Sequence, residues 1–402
     1  MIVNKAYKTE LQVNNKQASY FEECAGLARF VYNWALEYWI EEYKAGNKKR
    51  TDWMKLGIEL TKLKQSESTW MYKYSKWINS YALKNCDRAY QNFFRNVRNG
   101  KKPGFPKFKS RKTAPKKFTI NGSVIKITET EIKLPKVGWI KLKEHGYIPT
   151  NKKLVNATIS EKCGSWYISV ITEENVPELT PGHEHVVGVD LGIKHLAVTS
   201  DGTYYENPKS LYKYKRKLKL LDRRVSRKVK GSKNREKAKI IRAKAYEKVA
   251  RIREHSLHEI TTELARTKSA VIVIEDLNVS GMQKNHHLAK AIGDASFYEF
   301  RRMLEYKCKW YDSELIVVDR FFPSSKTCSN CGAIKDDLTL NDRVFKCDSC
   351  GFEIDRDLNA AINLKNRAKH ARIDACGENV NPVESLQVIS LKQEAGCEVC
   401  YA

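Results

Sequence analysis

The chain has 402 residues, which is too long for one small domain and indicates two or three. It carries 73 Lys and Arg against 47 Asp and Glu, and this net charge of +26 favours a polyanionic partner such as nucleic acid over a merely soluble basic protein. No stretch approaches the roughly 18 apolar residues of a membrane span, and the first residues lack an apolar run of signal-peptide length. We therefore expect a cytoplasmic protein with no membrane partner.

The residues before position 185 divide into three predicted segments and a linker. Residues 1–12 have the pattern of a short strand, and residues 15–98 have apolar side chains three and four apart, which predicts helices. Residues 118–175 alternate in short β-like runs separated by polar turns, which predicts a small antiparallel domain. Residues 176–184 are typical of a linker.

A basic stretch joins the predicted helices to the predicted strands. Gly and Pro break any helix between residues 100 and 117, and residues 101–117 hold eight Lys or Arg and no acid. A run of this kind is often only a solvated linker. Here Phe105 and Phe108 alternate with the basic side chains, which favours a nucleic-acid contact. The candidate contacts are Lys107, Lys109 and Arg111.

The second half begins with three short predicted strands and a strongly basic helical segment. Residues 186–206 have the pattern of three consecutive strands with tight turns. Residues 209–253 contain twenty Lys or Arg against three acids, with helical propensity on both sides of Gly231-Ser232. We expect a helical hairpin with one basic face along a phosphate backbone, rather than an ordinary solvated surface. The candidate contacts are Arg223, Arg224 and Arg227.

Alternating strands and helices follow the basic segment. Residues 268–275 and 314–319 are short apolar runs of the kind that form buried strands. Residues 294–312 predict an amphipathic helix between them, and residues 356–370 predict a last helix. The predicted order of elements is that of an RNase H-like fold: three strands, a helical segment, a strand, a helix, a strand and a last helix. We therefore expect an α/β multidomain protein with an RNase H-like core in its second half.

Carboxylates end the predicted strands of this core. Asp190 ends its first strand, Glu275 ends its fourth, and Asp355 and Asp357 begin the last helix. We expect three such groups to converge at one end of the sheet. Phosphodiester hydrolysis needs an activated water and a stabilised leaving oxygen, which two Mg²⁺ ions about 4 Å apart can provide. Oxygen ligands of this kind are those that Mg²⁺ prefers.

Each acid by itself is more typical of an ordinary strand end or helix cap, and only the combination beside so basic a chain favours a metal site. The choice between Asp355 and Asp357 stays open on the pattern alone, because acids of both positions favour the first turn of a helix.

Two C-x2-C pairs predict a structural zinc site. They are separated by fifteen residues, and each is followed by Gly, which suits the tight turn of a zinc knuckle. The four ligands would fill a tetrahedral shell, so one structural Zn²⁺ is expected at Cys328, Cys331, Cys347 and Cys350. A further C-x2-C, at Cys397 and Cys400, has no partner pair and is interpreted as incidental.

Five segments resemble the TnpB family, the transposon-encoded relatives of type V CRISPR nucleases. They are GVDLGIKHLAVTSDG, VIVIEDLNV, RFFPSSKTCSNCG, CDSCGFEIDRDLNAAINL and the closing ACGENVNP with LKQEAG. The resemblance is specific from about residue 184 to 396 and weaker before it, where GKKPGFPKFKSR and DRAYQNFFRNV are also similar. The final CEVCYA lies outside it.

The resemblance implies a domain plan. An N-terminal β-barrel, or wedge, domain of residues 1–12 and 116–182 would be interrupted by a helical recognition domain of residues 13–115. A RuvC nuclease domain of residues 183–375 would carry a zinc ribbon at residues 322–353, and residues 376–402 would form a flexible tail.

The resemblance also implies an activity, which composition and spacing do not. The family cleaves double-stranded DNA beside a short transposon-adjacent motif, uses a guide RNA from the transposon end, and helps to retain the element. Motif by motif, Asp190 and Glu275 are the first and second catalytic acids, and Asp357 of D-x-N-A-A is the third, with Asp355 in reserve. Such a prokaryotic protein would lie on the nucleoid when bound to DNA. The alternatives are a DNA-binding transposase or a regulator that acts without guide RNA.

Overall fold

The computed structural model describes residues 2–47, 52–176, 185–268, 271–339 and 342–375. The chain divides into two compact units, one that ends at Asn175 and one that begins at Val176. Most of the predicted linker, residues 177–184, lies outside the described part of the chain. The predicted tail, with Cys397 and Cys400, also lies outside it.

The first unit inserts helices into a seven-stranded sheet. Its elements are β1 (Ile2–Gln12), α1 (Asn15–Lys44), α2 (Trp53–Ser66), α3 (Lys76–Arg98), β2 (Lys117–Asn121), β3 (Lys126–Ile127), β4 (Glu131–Leu134), β5 (Gly138–Leu142), β6 (Lys153–Lys162) and β7 (Ser165–Asn175). The strand order is β2-β6-β7-β1-β5-β4-β3, and every neighbouring pair is antiparallel. β1 thus lies in the middle of the sheet, although the helices separate it in sequence from both of its partners.

The inserted helices share one hydrophobic core with this sheet. α1 begins with a capping box, in which Asn14 and Gln17 each accept a hydrogen bond from the backbone N–H of the other. One turn later, the ring of Phe21 on α1 lies 5.6 Å from that of Phe118 on β2 and 5.2 Å from that of Trp166 on β7. The predicted helical and antiparallel segments are therefore packed against each other, because each covers the apolar face of the other.

The second unit has alternating strands and helices. Its elements are β8 (Val186–Asp190), β9 (His195–Thr199), β10 (Tyr204–Glu206), α4 (Ser210–Ser226), α5 (Lys233–Glu263), β11 (Val271–Glu275), α6 (Val279–Met282), α7 (Ala289–Ala295), α8 (Phe297–Tyr311), β12 (Glu314–Val318), β13 (Val344–Lys346), β14 (Glu353–Asp355) and α9 (Arg356–Ala375). The predicted strands and helices follow one another in the predicted order, and the structure adds α6, α7, β13 and β14 to them.

A five-stranded sheet forms the centre of this unit, in the order β10-β9-β8-β11-β12. β8, β11 and β12 are parallel, whereas β9 and β10 are antiparallel to their neighbours. Side chains of β8 and β11 alternate between two core clusters, one with α5 and α8 and one with α9. Because helices cover both faces, these strands consist of continuous apolar runs, as the sequence predicts for buried strands.

The basic segment forms the predicted hairpin of α4 and α5. Its core is small: Leu218 and Leu221 on α4 pack with Ala245 and Val249 on α5, and the partly buried Tyr214 of α4 packs against them. The α4 residues are spaced three and four apart, so one face of the helix packs and the other is left to the charged side chains. No helix in the described ranges is long and apolar enough to span a membrane.

Candidate active site and metal centre

The first two candidate acids lie at the ends of two neighbouring strands. Val189 on β8 is paired with Ile274 on β11 in a parallel register. The next residues of the two strands are Asp190 and Glu275, where each strand ends. Since carboxyl ends of parallel strands share one edge of a sheet, the sheet itself brings these two side chains together.

Helix α9 brings the third candidate acid to the same edge. Asp357 lies in the first turn of α9, which packs over β8. The charge of Asp357 is close enough to Asp190 to raise the pKa of that carboxyl. The three predicted catalytic acids therefore lie near one another, although they come from three elements that are distant in sequence.

Burial and like charge hold the pKa of Asp190 far above its ordinary value. Desolvation is the largest cause, followed by the charges of Asp357 and Glu275, and together they raise the pKa of Asp190 to about 7. The pKa of Glu275 is also raised by burial, although a hydrogen bond from Ser324 opposes this. A cluster of this kind is stabilised by a cation, and its hard oxygen donors fit Mg²⁺.

Asp355 and Asp357 have different surroundings. One carboxylate oxygen of Asp355 accepts hydrogen bonds from the backbone N–H groups of Asp357 (3.0 Å) and Leu358 (3.1 Å). Asp355 thus caps α9. The Asp357 carboxylate is paired with the guanidinium of Arg356 at 3.3 Å. The structure therefore gives Asp355 a capping role, and it leaves Asp357 as the acid that interacts electrostatically with Asp190.

The four predicted zinc ligands form a separate cluster. Their sulfur atoms all lie within 4.8 Å of one another, with Cys328 and Cys350 at 3.8 Å and Cys331 and Cys347 at 3.6 Å. A tetrahedron of Zn–S bonds of about 2.3 Å has sulfur–sulfur edges of about 3.8 Å, so the cluster fits a structural zinc. Among the described residues, the three carboxylates are not grouped this tightly. This wider spacing is consistent with a two-metal site, because ligands shared by two Mg²⁺ ions about 4 Å apart lie farther from one another than the ligands of a single ion.

The two zinc knuckles have the same backbone geometry. The N–H of Gly332 donates to the carbonyl of Cys328 at 2.9 Å, and the N–H of Gly351 donates to that of Cys347 at 3.0 Å. Both glycines have positive φ angles, 79° and 72°, which explains why Gly follows each C-x2-C pair. Phe345 is completely buried beneath the cluster, beside Cys328 and Cys347.

Sequence reasoning missed several polar groups around the acids. Ser324 donates a hydrogen bond to Glu275 at 3.2 Å. Asp276 is paired with Arg301 and Arg320, and these two partners hold its pKa below the ordinary value although burial opposes them. The sequence offers no signal for these contacts, because the partners come from α8 and from the chain beyond β12.

The candidate nucleic-acid contacts are not all alike. Lys107 and Arg111 are exposed, and so are the predicted contacts on the basic hairpin, Arg223, Arg224 and Arg227. Lys109 is different, because its ammonium lies 3.3 Å from the centroid of the Tyr32 ring and burial lowers its pKa to about 8. The backbone of Lys109 also forms two hydrogen bonds with the side chain of Asn33: its N–H donates to the amide oxygen, and its carbonyl accepts from the amide nitrogen.

Comparison with known proteins decides the family. The chain is 34% identical over 388 residues to a candidate RNA-guided DNA endonuclease of Streptomyces pristinaespiralis, covering 94% of this chain and 92% of the relative. It is 35% identical to InsQ of Escherichia coli (strain K12), another candidate RNA-guided DNA endonuclease, covering 94% of each chain. The chain belongs to the TnpB family. The predicted resemblance is thereby confirmed over almost the whole length.

Sequence models of related families match three parts of this chain. A model described as "Probable transposase" matches residues 169–286, and one described as "Cas12f1-like, TNB domain" matches residues 297–364, which include the cysteine cluster. A model described as "Helix-turn-helix domain" matches residues 1–48. The described residues of that last range form one strand and one helix, β1 and α1.

A solved structure of a Cas12f1 shares its fold with this chain. The chain superposes on a Cas12f1 determined in complex with sgRNA and target DNA, with a TM-score of 0.59 and 15% identity. The match covers 91% of this chain and 99% of that one. The α/β multidomain fold that the sequence predicts is thus confirmed at this level.

Proposed function

We propose that this protein is an RNA-guided, Mg²⁺-dependent endonuclease that makes double-strand breaks in DNA. It would cut next to a short transposon-adjacent motif and so serve the maintenance of its transposon. The observation that carries the proposal is the convergence of Asp190, Glu275 and Asp357 at one edge of the second-unit sheet. The names of the relatives support the guided part of the proposal.

We assign the second unit to a RuvC-type nuclease domain. Its strand order, three antiparallel strands followed by two parallel ones, supports an RNase H-like core. In this domain plan, residues 183–375 form the RuvC domain with the zinc ribbon at 322–353. Residues 1–12 and 116–182 form the wedge barrel around the recognition helices of residues 13–115.

The residues of the site divide the catalytic work among them. Bound Mg²⁺ would supply water activation and stabilisation of the leaving oxygen, held by Asp190, Glu275 and Asp357. Asp190 and Glu275 are rigid ligands because each ends a buried strand. Ser324 orients Glu275 through its hydrogen bond, and Asp355 holds the first turn of α9 so that Asp357 faces the cluster.

Guide RNA and duplex DNA are the partners that the charge distribution supports. The exposed arginines of α4 form a surface suited to phosphates, and the chain as a whole has a net charge of +26. Contacts to phosphates do not read base sequence, whereas a guide reads it by base pairing. In this proposal the guide RNA therefore supplies the sequence specificity of DNA cleavage, and the basic surface supplies binding to phosphates.

The proposal is tested by loading RNA-free protein with a matched or a scrambled guide and supplying one target duplex with Mg²⁺. We expect cleavage only with the matched guide. Asp190→Asn and Glu275→Gln should abolish cleavage while DNA and RNA binding stay within about twofold, because the metal ligands are separate from the phosphate contacts. Equal cleavage with both guides would leave a non-specific nuclease.

A DNA-binding transposase or regulator that needs no guide RNA is the second candidate. The description "Probable transposase" of the model that matches residues 169–286 favours it. Strand transfer would also use clustered acids but would proceed on RNA-free protein. RNA sequencing of the purified protein, together with a strand-transfer assay on RNA-free protein, separates the two functions.

A further inference from the structure

Two asparagines on α9 hold the chain segment that leads from β12 into the first zinc knuckle. Asn359 is completely buried and Asn363 is 5% exposed. The side-chain amides of both donate to the same acceptor, the carbonyl of Thr327, at 2.7 Å each. The two residues are four apart, so they face the same side of α9, one turn from each other.

At one end, this clamp of Asn359 and Asn363 reaches the acid cluster. The Asn363 amide also donates to the carbonyl of Ser324 at 2.8 Å. The hydroxyl of Ser324 in turn donates to the carboxylate of Glu275 at 3.2 Å. α9, which carries Asp357, thereby determines where the partner of Glu275 stands.

At the other end, the clamp reaches the zinc knuckle. The side-chain oxygen of Asn359 accepts a hydrogen bond from the backbone N–H of Ser329 at 3.0 Å. Ser329 follows Cys328, whose own N–H donates to the carbonyl of Ala333 within the knuckle at 2.8 Å. The first zinc ligand is thus attached to the same helix as the third acid.

We propose that Asn359 and Asn363 are positioning residues that join the zinc ribbon to the nuclease site, so that the ribbon helps to orient Glu275. The proposal rests on the catalytic assignment of Glu275 in the proposed function. A free surface ribbon would not need two buried amides on the catalytic helix. Partners of this kind that orient metal ligands are worth about 10–100-fold in metal affinity or activity when removed.

Cleavage assays on guide-loaded protein test the catalytic end of the clamp. Ser324→Ala and Asn363→Ala should each slow single-turnover cleavage about 10–100-fold and raise the Mg²⁺ concentration needed for half-maximal cleavage. Guide and target affinity should stay within about twofold of wild type, because phosphate contacts lie elsewhere. The matched control is Ser313→Ala, which removes a 2.8 Å hydrogen bond to the carbonyl of Ala265 just before β12 begins, at the opposite end of that strand.

A double-mutant cycle separates positioning from general destabilisation. If Asn363 acts through Ser324, the double variant should be no more than about twofold slower than the slower single variant. Multiplicative losses with an unchanged Mg²⁺ requirement, or losses that follow the melting temperature, would overturn the proposal. Ser324→Ala removes only one hydroxyl group. It therefore tests the catalytic end of the clamp even if Asn363→Ala does not fold.

Zinc release tests the other end without any cleavage. Asn359→Ala should release zinc to a colorimetric chelator about 10–100-fold faster than wild type, and Ser313→Ala should not. Unchanged release would overturn the zinc half of the proposal. Failure of the proposed function and failure of the clamp are distinguishable. If the wild-type protein does not cut matched DNA, the proposed function is refuted. If the wild-type protein cuts matched DNA and Ser324→Ala and Asn363→Ala cut it at the same rate, the clamp is refuted.

Discussion

Gly188 of β8 lies directly against the backbone of α9. A Cβ atom at position 188 would stand 2.0 Å from the carbonyl oxygen of Ala361 and 2.6 Å from the backbone nitrogen of Lys365. No side chain fits in this space, so the helix approaches the strand as closely as glycine permits. Since β8 ends in Asp190 and α9 begins beside Asp357, this contact sets the distance between two acids of the site.

Gly188→Ala should therefore damage both stability and cleavage. Backbone atoms cannot move aside as a flexible side chain can, so we expect a loss of about 1–3 kcal/mol or more, together with at least about tenfold slower cleavage. Thermal melting and single-turnover cleavage measure the two effects. The control is Gly293→Ala in α7, which meets no atom within 4 Å and should be neutral or stabilising. Equal behaviour of both variants would contradict this account.

The two acids at the start of α9 should separate by assay. Asp357→Asn should lose cleavage and keep the fold. Asp355→Ala should keep cleavage above about a tenth of the wild-type rate and lose on the order of 1 kcal/mol of stability, because it removes the acceptor of two helix N-terminal N–H groups. Melting curves and cleavage rates are measured side by side. An inactive Asp355→Ala beside an active Asp357→Asn would reverse the assignment.

The cysteine cluster should bind one Zn²⁺ per chain. Cys328→Ser or Cys347→Ser should abolish zinc binding and unfold the ribbon. Apart from the cysteines, Phe345 is the one fully buried side chain of the described cluster, and the other apolar side chains around it are only partly buried. Elemental analysis and protease sensitivity near residues 322–353 are the measurements. Cys163→Ser, at a half-exposed cysteine of the first unit, should keep the zinc. Absence of zinc from wild-type protein purified without chelators would refute the site.

Asp190 should make the Mg²⁺-free protein less stable as the pH rises. Its folded-state pKa, about 7, lies above the ordinary 3.8, so its contribution to stability is present below about pH 4 and is lost as the pH rises through about 7. Asp190→Asn removes this loss. The melting temperature of the variant, relative to that of wild type, should therefore rise from about pH 5 to about pH 8. At the higher pH, added Mg²⁺ should reduce this difference, because it stabilises the wild-type protein. Parallel melting profiles would contradict the raised pKa.

The basic hairpin should bind nucleic acid through phosphates. Charge reversal at Arg223, Arg224 and Arg227 should weaken the binding of every sequence alike, since phosphate contacts carry no base information. Each lost contact should lower the log–log salt slope by about 0.9 for duplex DNA. Titrations at several salt concentrations measure both effects.

A control triple variant separates local contacts from overall charge. Lys44→Glu, Lys55→Glu and Lys62→Glu remove the same charge from exposed positions on α1 and α2. We expect a smaller loss of affinity and a smaller fall in the salt slope than the hairpin variant shows. If both triple variants weaken binding equally, net charge rather than the hairpin surface accounts for the affinity.

The sequence by itself determined the features that depend on local patterns. Apolar runs predicted β8, β11 and β12, because strands covered on both faces need no polar side chains. The acids that end two of these runs, and the two C-x2-C pairs, could be read directly, since strand ends and knuckle turns are decided by neighbouring residues. The hairpin of α4 and α5 followed from its composition and the Gly231-Ser232 turn.

Only the tertiary structure decided how these parts meet. The capping role of Asp355, the burial of Lys109 over Tyr32 and the clamp of Asn359 and Asn363 each depend on atoms that approach across long stretches of chain or on the direction of one side chain. Gly188 conveyed no such information in the sequence, where it is one small residue in an apolar run. Local propensity is a property of neighbours in the chain, whereas packing distances and buried hydrogen bonds exist only once the whole unit has folded.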